Sequence, residues 1–90
     1  MARSLLVGAE IACPTNAGAA TSFGAATVVR LVNTDSTDAH KITILEEQSG
    51  SGIGSMTLPP NSVEYVEKRS SYVIFAADAS VLGTKVGFTG

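Results

Sequence analysis

Residues 27–33 read TVVRLVN, and this stretch decides the fold. Four of its seven residues are β-branched, and apolar side chains fall on both of its faces. Val29 and Leu31 share one face, and Val28, Arg30 and Val32 share the other. A strand apolar on both sides reads as central in its sheet, with some cover on each face. No window of the chain places apolar residues at helical spacing over three turns, so the period selects an all-β class.

Downstream, TDSTDA (34–39) is a turn, because Asp and Ser side chains bond nearby backbone groups. HKITILEE (40–47) is a second strand, with Ile42 and Ile44 pointing one way and Thr43 and Leu45 the other. QSGSGIG (48–54) reads as a mobile hairpin tip, and 55–58 resumes a strand through Met56 and Leu58. Pro59-Pro60-Asn61 forces a turn, since Pro fixes φ and offers no ladder donor. SVEYVEK (62–68) is a further strand, 69–71 a bend, YVIFA (72–76) a buried run and 77–83 a loop. KVGFT (85–89) closes the chain, with Phe88 as its anchor.

Upstream, 4–11 can hold a short strand, and PTNAGAATSFGAA (14–26) is a long loop of small residues with Phe23 as its large side chain. Six or seven strands of about 4–8 residues predict a small antiparallel β-sandwich or barrel with an extended N-terminal arm. The 90 residues form a single β domain, 1–25 being arm and loop and 26–90 the β body. Sequential strands usually neighbour each other, so 27–33 is expected to pair with 40–47, and 55–58 with 62–68.

Composition bounds what this body can do. The chain is 44% apolar, but twelve of those residues are Ala, so the core is thin. A thin core is often supplemented by disulfides, metals or association. Cys13 and His40 are the only residues of their kinds, which excludes a disulfide or a Cys/His metal site within one chain and leaves association. Net charge is −2 and the densest basic spot is Lys68-Arg69, too little for a nucleic-acid face. Asp35 and Asp38 lack the spacing of a calcium loop. The apolar run after Arg3 is broken by Gly8 and Glu10, so neither a signal peptide nor a membrane span is expected. An unpaired cysteine fits a reducing cytoplasm.

Few residues offer chemistry. Asp38-Ala39-His40 sets a carboxylate near an imidazole, but no nucleophile elbow accompanies it, and a polar turn explains it. Cys13 lacks a basic setting. Gly50-Ser51-Gly52-Ile53-Gly54 lacks the helix and Lys of a phosphate loop. Glu46-Glu47, and Glu64 with Glu67, read as solvated strand positions rather than a glycosidase pair. Tyr65 sits between two acids, where it either packs in the core or anchors an interface. No catalytic, cofactor-binding or metal-binding residue is assigned, and the chain is not expected to be an enzyme. Replacing His40 or Cys13 by Ala is expected to leave function intact.

From Ala26 to Gly90 the chain resembles small structural proteins of tailed bacteriophages, including cyanobacterial and marine phages. The resemblance rests on VVRLVNTDS, HKITILEE, the Gly/Ser tip, MTLPPNSVEYVEKRSSYVIFAA and KVGFT. Within it stand a Leu58-Pro59 turn with Asn61 and a strand ending in Glu67-Lys68. It implies a virion component assembled in the host cytoplasm, most simply a capsid decoration (cement) protein. Its partners would be major capsid subunits and copies of itself, with no direct nucleic acid, membrane or small-molecule substrate. Residues 1–25 and the 48–54 tip are the expected contacts, and the body is expected to fold without residues 1–20. A neck or tail component, such as a tail-tube or connector subunit, and a small hydrolase or carbohydrate-binding module are the alternatives. The absence of Trp argues against the last.

Overall fold

The computed structural model describes the backbone from Arg3 to Thr89 and the side chains from Leu5 to Gly87. Eight strands run in order: β1 (Arg3–Leu6), β2 (Ile11–Ala12), β3 (Val28–Asn33), β4 (His40–Leu45), β5 (Gly52–Leu58), β6 (Val63–Glu67), β7 (Val73–Ala76) and β8 (Val81–Thr89). One 3₁₀ turn spans Ala17–Ala19, and no α-helix occurs among the described residues. The strands form two antiparallel sheets. The larger has the order β1-β8-β3-β6, with β2 also on β8; the smaller is β5-β4-β7. The expected small all-β sandwich is the observed architecture.

β3 is central, as its two apolar faces require. It pairs with β6 (Val29 opposite Val66) and with β8 (Leu31 opposite Gly83). Val29, Leu31 and Asn33 are buried, and Val28, Arg30 and Val32 are half-buried, in strict alternation. The core packs Val29, Leu31 and Val81 of the large sheet against Ile42, Leu58, Ile74 and Ala76 of the small one.

The expected hairpins do not form. β3 does not pair with β4, nor β5 with β6; the hairpin is β4/β5, with His40 opposite Leu58. Both intervening turns are corners that carry the chain from one sheet to the other. Pro59-Pro60 supplies no ladder donor, so β5 cannot turn straight into a paired strand. Asn61 adopts φ 55° and bonds its N–H to the Asp35 carbonyl at 3.1 Å, which ties the two corners together.

The C-terminal strand starts at Val81, inside the segment expected to be a loop. Gly83 disguises it in the sequence. A Cβ there would lie 2.5 Å from the Phe23 ring, so glycine is what lets Phe23 pack against the sheet. The tip at 48–54 is shorter than expected, since β5 begins at Gly52. It is also tethered: Ser49 N–H bonds the Ala17 carbonyl, and the Gln48 amide bonds the Ala20 carbonyl, each at 3.0 Å.

The N-terminal segment is extended, but it lies along its own domain. β1 and β2 pair with successive stretches of β8, and Val7 N–H bonds the Lys85 carbonyl at 3.1 Å between them. Thr21 bridges Ile74, and the Pro14 carbonyl accepts the Ala76 N–H, which covers the outer edge of β7. Cys13, Ala20 and Phe23 are buried. Met1 and Ala2, and the side chain of Phe88, lie outside the described residues.

Candidate interaction surface

The polar corner at one end of the sandwich is where catalytic chemistry would have to be. Asn33 ends β3 fully buried. Its amide donates to the carbonyls of Asp38 (2.9 Å) and Leu58 (3.0 Å), and its oxygen accepts the Asp35 N–H (3.0 Å). His40 does not engage the neighbouring Asp38; its Nε2 meets Asp35 Oδ2 at 3.0 Å. The other Asp35 oxygen accepts from the Thr37 N–H (2.9 Å), the Thr37 hydroxyl (3.0 Å) and the Asp38 N–H (3.2 Å).

The Thr37 N–H, followed by His40 and the Asp38 N–H, holds the Asp35 carboxyl well below the usual carboxylate range. The Ser80 N–H, bonded to Asp78 Oδ1 at 2.9 Å, lowers Asp78 in the same way. These acids are kept ionised as turn-forming acceptors. Neither is raised toward neutrality, where a general acid would sit.

The other candidates resolve similarly. Cys13 is buried, and burial pushes its thiol up to about 11, the reverse of what a nucleophile needs. Gly50 packs over Glu47, and the chain then enters β5 rather than a helix, so no phosphate cradle is built. Glu64 and Glu67 stand three apart on one strand and therefore point to opposite faces of the sheet. Lys68 is buried, and its ammonium bonds the carbonyls of Ala26 (2.7 Å) and Arg69 (3.3 Å). It fixes the exit of β6 and does not belong to a basic patch. Among the described residues no three His, Cys, Asp or Glu side chains come together as a metal site.

What the structure does assemble is the outer face of the large sheet. Register aligns Ala12, Leu82, Val32 and Val63 in one cross-strand row. The next row holds Thr84, Arg30 and Tyr65, with Glu10 paired to Arg30 at 3.3 Å. Beyond it, Val28 stands opposite Glu67, and Leu6 opposite Val86. A sheet face turned to water normally carries polar side chains at these positions. Here they are mostly aliphatic: Thr84 and Val86 are buried among their neighbours, and Val28, Val32 and Leu82 are half-buried. Val63 is 41% exposed, Tyr65 45% and Leu6 71%. Of the two openings left by the sequence, Tyr65 takes the exposed one.

The sequence showed half of this face. Val28, Val32 and Tyr65 were legible on their strands. Leu82 was not, because Gly83 hid the strand that carries it. The edges matter as well. β1 and β6 end the large sheet, β5 ends the small one, and Leu5 and Val7 on β1 and its extension are about half exposed.

No protein-family model matches the chain, and no curated protein matches it. Among solved structures, the Anabaena sensory rhodopsin transducer is similar over 99% of this chain and 92% of its own, at 13% identity and a TM-score of 0.34, a likeness too slight to carry an argument about this protein.

Proposed function

We propose that this chain is a structural protein of a bacteriophage particle, a capsid decoration subunit that docks on major capsid subunits through the outer face of its large sheet. One observation carries the docking claim: the aliphatic row Leu82–Val32–Val63, half-buried to exposed, on the outer face of the large sheet. Exposed apolar patches of this kind are typical of protein interfaces, and Tyr65 and Arg30 beside them are residue types enriched at interface anchors. The virion setting comes from the resemblance of residues 26–90 to small phage structural proteins. The polar corner supports the same view, since its carboxylates are engaged in turns.

A neck or tail subunit is the second reading, favoured by the unpaired edges at opposite ends of the large sheet, which suit a ring. Mass spectrometry of purified particles, with copy numbers, tests both. Decoration requires a fixed ratio to the major capsid protein. A ring-sized handful of copies would select the neck or tail, and absence from the particle would overturn the virion role.

A further inference from the structure

We propose that copies of this chain join head to tail, β1 of one copy adding to the free edge of β6 in the next and covering an apolar recess beside β5. The inference goes beyond the docking proposal and is tested on the isolated chain, so either can fail alone.

The large sheet stops one strand short of sealing the sandwich. β5 and β6 are the edge strands of their sheets. Val66 packs inward with Ile44 and Met56, and these with Ile42 and Gly54 line an open recess of about 160 Å³. A Cβ on Gly52 or Gly54 would meet nothing within 4 Å, so the sequence leaves this mouth unfilled from the β5 side. A strand placed beside β6 would direct its inward side chains into the recess and satisfy the unpaired backbone groups of that edge.

β1 has the character of that strand. Leu5 and Val7 lie on the same face, both flanking Gly87, and are 53% and 49% exposed. By alternation this is the face of β8 on which Gly83 and Lys85 lie, the core-facing side of the sheet. Continued from one copy into the next, the sheet keeps that polarity, so Leu5 and Val7 would face the neighbour's recess. They cannot reach their own, because β1 and β6 are separated by two strands, roughly 14 Å across the sheet.

Charge agrees with this partner. Glu64 and Glu67 of β6 are exposed, and neither is in an ion pair among the described residues. Beside β1, on β8, the Lys85 ammonium is held by the Gly24 carbonyl at 3.0 Å, with no carboxylate on it among the described residues. The two β6 carboxylates therefore meet a flank on which Lys85 carries no counter-charge. The two surfaces differ, so the contact is heterologous and continues past a dimer.

Sedimentation velocity on the full chain tests this at about 100 µM, where contacts with a dissociation constant near 1 µM are saturated. The wild type is expected to form species larger than a dimer. Leu5→Asp spoils the donor strand, and Gly54→Leu fills the recess at a position with open space around it. Each alone is expected to be monomeric, with circular dichroism and melting temperature near wild type. Mixed, they are expected to form a 1:1 dimer and nothing larger, because one intact half remains on each. A monomeric wild type, variants of wild-type size, or a mixture that stays monomeric would each overturn the inference.

Discussion

Asn33 ties the two corners of this fold together. It stands where β3 would otherwise run on into a hairpin, and its buried amide joins both corners through three hydrogen bonds. Asn33→Ala removes those bonds and leaves the Leu58 carbonyl buried without the donor. The expected loss is about 2–4 kcal/mol, read by urea unfolding. A change under about 0.5 kcal/mol would show that the corners hold without it. Asp35 adds a pH dependence. Its folded pKa is depressed, so its contribution is fully present above its unfolded value of about 3.9 and is lost as pH falls below that. Asp35→Asn is therefore expected to be less stable than wild type at pH 7, with the gap narrowing below about pH 4. A gap of constant size from pH 7 to pH 3 would contradict the assignment. None of this was legible from residue types: Asp38 lies nearer to His40 in sequence, and only the corner geometry selects Asp35.

Elements were easier to read than their pairing. The two apolar faces of TVVRLVN correctly mark β3 as central, and period 2 located β4, β6 and β7 to within two residues. Pairing is not legible, because strands adjacent in sequence are not adjacent in a sheet at either corner. Pro59-Pro60 and the Asn33–Asp35 corner instead exchange sheets. β8 was cut short because Gly83 lacks the side chain by which a strand is recognised, and the reason for that lack, the Phe23 ring, is distant in sequence. The N-terminal segment was legible as extended but not as docked, because main-chain pairing to β8 and β7 leaves little trace in side-chain pattern. Its docking reverses one expectation. Deleting residues 1–20 strips β1 and β2 from β8, takes the Pro14 carbonyl from the Ala76 N–H of β7 and removes buried Cys13 and Ala20. The truncated chain is expected to unfold at a clearly lower temperature or to aggregate. A cooperative melt unchanged from the full chain would mean the segment is dispensable to the body.

At the scale of the molecule, a 90-residue sandwich with a thin core keeps partly exposed aliphatic residues on the outer face of its large sheet. Burying such a face on a partner contributes on the order of 25 cal/mol for each Å² removed from water. Its position was half visible in the sequence, as the second apolar face of β3; its extent needed the register of β6 and β8. Docking through this face is the central claim, and Val32 at its middle tests it most directly. Val32 is half-buried between Val63 and Leu82, its side chain pointing away from the core, so Val32→Asp places a charge in the docking patch without touching the packing between the sheets. Co-sedimentation with shells assembled from major capsid protein compares the two chains, with thermal melting to confirm that both are folded. The wild type is expected to saturate the shells and Val32→Asp to lose at least tenfold in affinity, a difference of about 1.4 kcal/mol. Equal binding by both folded chains, or no binding by the wild type, would contradict it.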